Sequence, residues 1–179
     1  MRTTVVSVGV MAIFACAVWL GRPYLPPIAD TPFYSAYLMF QEAPSTLPIP
    51  VQDVQPSRLT DTWNAARSNN RFHQGIDIFA RRGTPVLSTT EGIVLRVGTN
   101  NLGGKVVWVL GPRGHRHYYA HLDRYAEIEA GDRVVAGTTI GYVGNTGNAR
   151  GTPAHLHYGI YTGTGAVNPY PFLTTAPQR

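Results

Sequence analysis

Residues 105–121 read Lys105-Val-Val-Trp-Val-Leu-Gly-Pro-Arg-Gly-His-Arg-His-Tyr-Tyr-Ala-His121. An apolar run, a Gly-Pro-Arg-Gly turn and a second run rich in aromatic residues form a strand, a turn and a strand. The same alternation extends in both directions. Gly75-Ile-Asp-Ile-Phe79 and Gly92-Ile-Val-Leu-Arg-Val97 precede the hairpin; Asp132-Arg-Val-Val135, Thr139-Ile-Gly-Tyr-Val143 and His155-Leu-His-Tyr-Gly-Ile-Tyr161 follow it. Short strands at roughly ten-residue spacing, separated by Gly turns, predict an all-β domain, an antiparallel β-sandwich or barrel-like fold. Helix is almost absent from this region; only residues 59–68 carry a weak helical period, in a stretch that also reads as loop.

The chain of 179 residues is long enough for one ordinary domain. Gly 19 and Pro 14 make it turn-rich without reaching the level of a disordered chain. Its single Cys excludes an intramolecular disulfide and any Cys-rich zinc module, so the six His are the plentiful soft ligands. The net charge of +5 is spread along the chain, with Arg81-Arg82 the longest cationic run. Without a basic stripe or a binding module, nucleic acid is not the expected partner, and weak attraction to an anionic envelope polymer is.

An uncharged apolar run over residues 5–20 follows Arg2. At ~1.5 Å per residue it spans ~24 Å, between a signal-peptide core and a full membrane span. Residues 1–22 are expected to be a signal anchor, with a cleaved signal peptide or a lipoprotein signal ending at Cys16 as alternatives. Each of these exports the domain, leaving it in the bacterial cell envelope, membrane-anchored on the periplasmic side, or secreted. Eight Pro lie in residues 23–56. They are expected to prevent long helices and to make residues 23–56 an extended tether, interrupted by an apolar patch at 33–40 that reads as a helical turn resting on the domain or on the membrane surface. The folded domain is expected over residues 57–175.

Side chains at i, i+2 and i+4 of a strand share a face. His155 and His157 therefore point one way, Leu156 and Tyr158 the other. By the same count His73 and Asp77 face together, with Gly75 between them adding no side chain. Two His and one carboxylate are the ligand set of a catalytic zinc site that keeps its fourth position for water. His115, His117, Tyr119 and His121 would share one face of a continuous strand. Because His115 and His117 directly follow the Gly111-Pro-Arg-Gly114 turn, they are expected at the mouth of a hairpin, solvated.

Arg71-Phe-His-Gln-Gly-Ile-Asp-Ile-Phe-Ala80, Arg82-Gly-Thr-Pro-Val86, Tyr119-Ala-His-Leu122, Gly131-Asp-Arg-Val-Val-Ala-Gly137, Ile140-Gly-Tyr-Val-Gly-Asn-Thr-Gly147 and His155-Leu-His-Tyr158, in that order, resemble the M23 peptidase family of lysostaphin/LytM-type peptidoglycan endopeptidases. The resemblance spans roughly residues 60–172. It implies a zinc metalloendopeptidase that hydrolyses peptide cross-links of bacterial peptidoglycan, with His73, Asp77 and His157 as zinc ligands and His121 and His155 as the two catalytic histidines. The loop at 64–70 and the segment at 98–104 are short and leave the cleft walls, and so substrate preference, open. Family members cut within glycine bridges or at D-alanyl cross-links, and a membrane-tethered enzyme suits the latter.

There is no His-Glu-x-x-His, so the helical Glu base of many zinc peptidases is missing and His121 and His155 would have to move the proton and hold the oxyanion. The loop at 144–153 reads as an ordinary turn region or as a border of the substrate groove. Asn168-Pro169 is assigned a structural closing role. A catalytically dead relative is the first rival reading, disfavoured because all five site positions are filled. A lipoyl-type carrier, suggested by residues 131–140, would need a Lys at a hairpin tip, whereas Lys105 opens an apolar strand. A phage lysis enzyme is a third context, against which the N-terminal segment argues.

Overall fold

The computed structural model describes residues 27–67 and 70–175; the expected membrane segment, residues 1–22, lies outside them. No helix among the described residues is long and apolar enough to cross a membrane. The chain divides into two compact units at Tyr34/Ser35. Among the described residues, the first holds only the start of helix α1 (Pro27–Phe40).

The second unit is built from eleven strands: β1 (Ala66–Arg67), β2 (Arg71–Phe72), β3 (Ile76–Phe79), β4 (Pro85–Leu87), β5 (Gly92–Asn100), β6 (Gly104–Leu110), β7 (Arg116–Tyr125), β8 (Arg133–Val134), β9 (Thr139–Val143), β10 (His155–Thr162) and β11 (Gly165–Val167), with a short terminal helix α2 (Tyr170–Thr174). β1 and β2 form a separate ribbon. The other nine make one antiparallel sheet in the order β11-β10-β7-β6-β5-β8, with β3 on β10 and β9 joining β4 to β7. Every strand pairing is antiparallel, which agrees with the all-β expectation.

The sheet has two unlike faces because its central strands alternate. Val107 and Val109 of β6, Tyr119 of β7, and Leu156, Tyr158 and Ile160 of β10 point into the main core with Ile76, Ile78, Val86, Val94, Ile140 and Val143. Val106, Trp108, Tyr118, Ala120 and Tyr161 occupy the opposite face, as does His157. At roughly 1.5–3 kcal/mol for each fully buried aliphatic or aromatic side chain, the core face dominates stability and leaves the other face to chemistry.

The Pro-rich segment differs from the extended tether expected of it. Helix α1 forms although Pro32 lies inside it. Pro27 occupies the first helical position, where a missing N–H costs nothing, and Pro32 removes one further bond. Beyond the helix, residues 47–54 pack on the sheet. Leu47 and Val51 join the core, Val51 bridges Val86, and the Leu87 N–H donates to the Pro50 carbonyl at 2.9 Å. Proline lacks a donor, but its carbonyl still accepts, so a Pro-rich run can serve as a short sheet edge.

His117 is the second departure. Expected to be solvated, it is buried on the core face, where Nδ1 lies 2.8 Å from Tyr158 Oη and 3.2 Å from Thr89 Oγ1. The Thr89 hydroxyl also meets Tyr119 Oη at 3.0 Å and Tyr158 Oη at 2.9 Å. The imidazole continues the inward alternation of Tyr119, and this hydroxyl cluster satisfies it, so the core closes over it. Burial pushes His117 down to about 3. An unfolded His takes its proton near 6.5, so between those values the unfolded chain binds more protons and stability falls as the pH is lowered, by up to ~1.4 kcal/mol per pH unit. Chemical denaturation from about pH 7 to about pH 4 will show a smaller loss for His117→Gln than for the wild type, although the variant starts from lower stability.

Candidate metal centre

The β3–β10 pairing sets Asp77 directly opposite His157, with Leu156 opposite Ile78 on the core side. His155 and His157 thus share the open face, as their spacing predicts. His73 precedes β3. Its N–H donates to the Ala65 carbonyl and its own carbonyl accepts from Asn64 N–H, both at 2.9 Å. These bonds swing the imidazole over Asp77. Gly75 makes the approach possible: a Cβ there would lie 2.5 Å from the Tyr158 carbonyl and 2.7 Å from His157 Cε1.

His73 Nε2 stands 3.1 Å from Asp77 Oδ1 and 2.8 Å from His157 Nδ1, which is 3.2 Å from the same carboxylate oxygen. Burial pushes the Asp77 carboxyl up, but hydrogen bonding and charge from His157 and His73 outweigh it and hold the carboxyl well below the usual carboxylate range. Burial pushes the His157 imidazole down, opposing the pull of Asp77. His73 Nδ1 is 2.7 Å from the Thr62 carbonyl, to which an Nδ1–H donates, and that tautomer turns the Nε2 lone pair toward Asp77. Three acceptors converge where protonation of a buried imidazole is disfavoured, an arrangement that needs a cation. A tetrahedral zinc with ligand distances of ~2.0–2.2 Å separates its donors by roughly 3.3–3.6 Å; the observed 2.8, 3.1 and 3.2 Å are somewhat shorter, so the three donors would open slightly around such an ion.

His121 reaches the same face by a different route. Lys105 of β6 pairs with Leu122 of β7, but Val107 pairs with Tyr119, so β7 carries an extra residue between them. His121 has φ 63°, and this bulge turns it away from the core face of His117 and Tyr119 and beside Ala120 in the cleft. Its Nδ1 is 2.9 Å from the Thr146 carbonyl, and His155 Nδ1 is 2.8 Å from the Pro153 carbonyl. Both rings thereby present Nε2 to the cleft. Their centroids are 5.0 Å apart, and His155 Nε2 lies 4.0 Å from Asp77 Oδ1, outside the close triangle. Burial first, then the neighbouring His157 and His155, pushes His121 down to about 4, so it is neutral at neutral pH.

The five residues lie in one cleft. The β1–β2 ribbon supplies Arg67, Arg71 and Phe72 to one wall; residues 100–103 with Asn148, Ala149, Thr152 and Pro153 supply the other. The loop at 144–153 therefore borders the cleft, the second of its two readings. Gly104 and Gly147 are both glycine because their backbones pass so closely that a Cβ on either would overlap the other loop. Trp108, Tyr118 and Tyr161 pack together at one end, with Trp108 and Tyr118 centroids 4.3 Å apart. Asn168 donates to Asp61 Oδ2 at 3.0 Å and accepts from Tyr170 N–H, a closing role as assigned. Sequence reading missed Arg67, whose Nη2 donates to Asp77 Oδ2 at 2.5 Å; ten residues and a ribbon turn separate the pair, and no local pattern marks it. His115 is half-buried after the turn and takes no part in the cleft.

Residues 71–169 match the profile of peptidase family M23. The chain is 36% identical over 152 residues to the L-Ala–D-Glu endopeptidase of Bacillus subtilis, covering 78% of this chain and 46% of that protein. It is 36% identical over 114 residues to a glycyl-glycine endopeptidase of Staphylococcus capitis, covering 60% of this chain and 31% of that protein. The chain thus spans less than half the length of these relatives. The catalytic domain of lysostaphin from Staphylococcus simulans superposes with a TM-score of 0.59 at 31% identity, over 67% of this chain and 96% of that domain.

Gly75→Ala will push His157 out of the donor triangle. Zinc affinity, measured by competition with a chromogenic chelator, is expected to fall by about 10–100-fold, the usual effect of disturbing a ligand's support, while the β-sheet circular dichroism is retained.

Proposed function

Because the chain belongs to peptidase family M23, we propose that it is a zinc-dependent endopeptidase that hydrolyses peptide cross-links of bacterial peptidoglycan. The observation that carries this reading is the triangle of His73, Asp77 and His157 donor atoms with His121 and His155 beside it in an open cleft. His73, Asp77 and His157 would hold the metal. When bound, zinc supplies a Lewis acid toward a water molecule and the scissile carbonyl.

The remaining work falls to the protein. Asp77 accepts from Arg67 through Oδ2, which fixes the carboxylate plane and leaves Oδ1 toward the imidazoles. The Thr62 carbonyl fixes the tautomer of His73. His121, neutral and with Nδ1–H on the Thr146 carbonyl, can accept the proton of the attacking water at Nε2. That proton then passes from His121 to the departing amine, and His155, its Nδ1 on the Pro153 carbonyl, stands across from it, placed to hydrogen-bond the substrate oxygen from Nε2 when that nitrogen carries a proton. We further propose that the domain acts outside the cytoplasm, where its substrate is, with the apolar run at 5–20 as the exporting or anchoring segment.

His73→Ala, Asp77→Ala and His157→Ala are expected to lose bound zinc by elemental analysis. His121→Ala and His155→Ala should keep about one zinc per chain yet lose on the order of 10²-fold or more in the release of fragments from purified peptidoglycan. Mass spectrometry of those fragments identifies the bond. Zinc loss in His121→Ala as complete as in His73→Ala would refute the division between ligands and proton-transfer groups.

A further inference from the structure

The wall of the cleft formed by β1 and β2 carries a charge arrangement that peptide hydrolysis alone does not require. Arg67 and Arg71 are direct cross-strand partners in this two-stranded ribbon, both exposed and both lining the cleft that contains the metal centre. Like charges at facing positions of a ribbon oppose its formation. Asp77 is the one acid among the described residues lining the cleft, against two guanidinium groups. The cleft is therefore formally positive before any divalent metal is added, and more so afterwards. The Arg67 side chain is 42% exposed while that of its partner Asp77 is 11% exposed. One nitrogen of the Arg67 fork serves the buried carboxylate, and the rest of the group stands in the cleft, where its planar array of N–H donors matches a second carboxylate.

We propose that Arg67 and Arg71 form a clamp for a free carboxylate carried by the substrate beside the scissile bond, so that the site selects stem peptides, which bear such carboxylates, over uncharged glycine bridges. This rests on the peptidase reading and adds to it the class of peptide. In the clamp Arg67 has two roles. It ties Asp77 to the wall and, through the same planar group, fixes the distance between a substrate carboxylate and the metal ligands. Arg71 opposite supplies the second guanidinium, so the carboxylate is approached from both strands of the ribbon. Recognition by charge-assisted hydrogen bonds in a partly closed cleft is stronger than between neutral partners, and it discriminates because an amide cannot replace the carboxylate as acceptor to two cations. Substrate preference then resides on the short ribbon rather than on the sheet.

The test uses the full chain and three synthetic probes: the stem tetrapeptide L-Ala-γ-D-Glu-meso-diaminopimelyl-D-Ala with free carboxylates, the same peptide fully amidated, and pentaglycine. Calorimetric titration of the zinc-chelated protein is expected to show the free-carboxylate peptide binding about tenfold or more tightly than the other two. Arg67→Gln and Arg71→Gln should each weaken that peptide by about tenfold and leave the amidated form within twofold. Arg67→Lys, which keeps a cation beside Asp77 but loses the fork, should retain bound zinc while losing most of the preference. With zinc-loaded protein and cross-linked stems, Arg71→Gln should raise KM for the free form and leave kcat nearly unchanged, whereas Arg67→Gln, which also releases Asp77 Oδ2, should lower kcat as well. Equal wild-type affinity for the free and amidated peptides, or equal weakening of both by Arg67→Gln, overturns the clamp. Failure of the zinc-loaded wild type to release fragments from any cross-linked substrate would instead overturn the peptidase reading, and the titrations would still decide the clamp.

Discussion

The antiparallel register of β3 on β10, which seats Asp77 opposite His157, is the constraint on which the rest of the cleft depends. The side-chain period of a strand is two, so a slip of one residue would exchange His155 and His157 for Leu156 and Tyr158 and place the imidazoles in the core. Ile78 and Leu156 hold the register from behind, each buried in the main cluster. Apolar packing on one face thus specifies the polar geometry on the other. Gly75 completes the constraint by leaving the space that the His157 ring fills.

A second feature separates the two pairs of histidines in this cleft. His73 Nε2 and His157 Nδ1 come within 3.2 Å of Asp77 Oδ1, whereas His121 and His155, each held through Nδ1 by a backbone carbonyl, stand beside that triangle, His155 Nε2 being 4.0 Å from the same oxygen. The bulge in β7 achieves this for His121: without it the imidazole would follow His117 and Tyr119 into the core. One strand thereby carries a buried structural histidine satisfied by tyrosine and threonine hydroxyls, and four residues later a histidine available for proton transfer.

Much of this was legible in the sequence because it depends on alternation. The spacing in His155-Leu-His157 carried the facing directions of those two side chains and the Gly-punctuated apolar runs an all-β sheet, whereas His73, which precedes β3, reaches Asp77 through its bonds to residues 64 and 65 and not by strand alternation. Four things were not legible. The bulge at His121 arises from β6–β7 pairing, a non-local property, so continuous alternation placed His117 and His121 together when they lie on opposite faces. The burial of His117 depends on hydroxyls from residues 89 and 158, distant in sequence. The Pro-rich segment was read from the donors it lacks, although its carbonyls and apolar side chains are what attach residues 47–54 to the sheet. Arg67 escaped notice for the same reason as the bulge: its meaning comes from Asp77 and from Arg71 across a ribbon.

The central claim is that three donors, and not the neighbouring imidazoles, form the metal centre. X-ray absorption at the zinc edge of the zinc-loaded full chain tests it most directly, because multiple scattering from imidazole rings counts the histidine ligands. The account predicts two imidazole nitrogens with oxygen completing a four-coordinate shell. A shell containing three or four imidazoles would bring His121 or His155 onto the metal and contradict it.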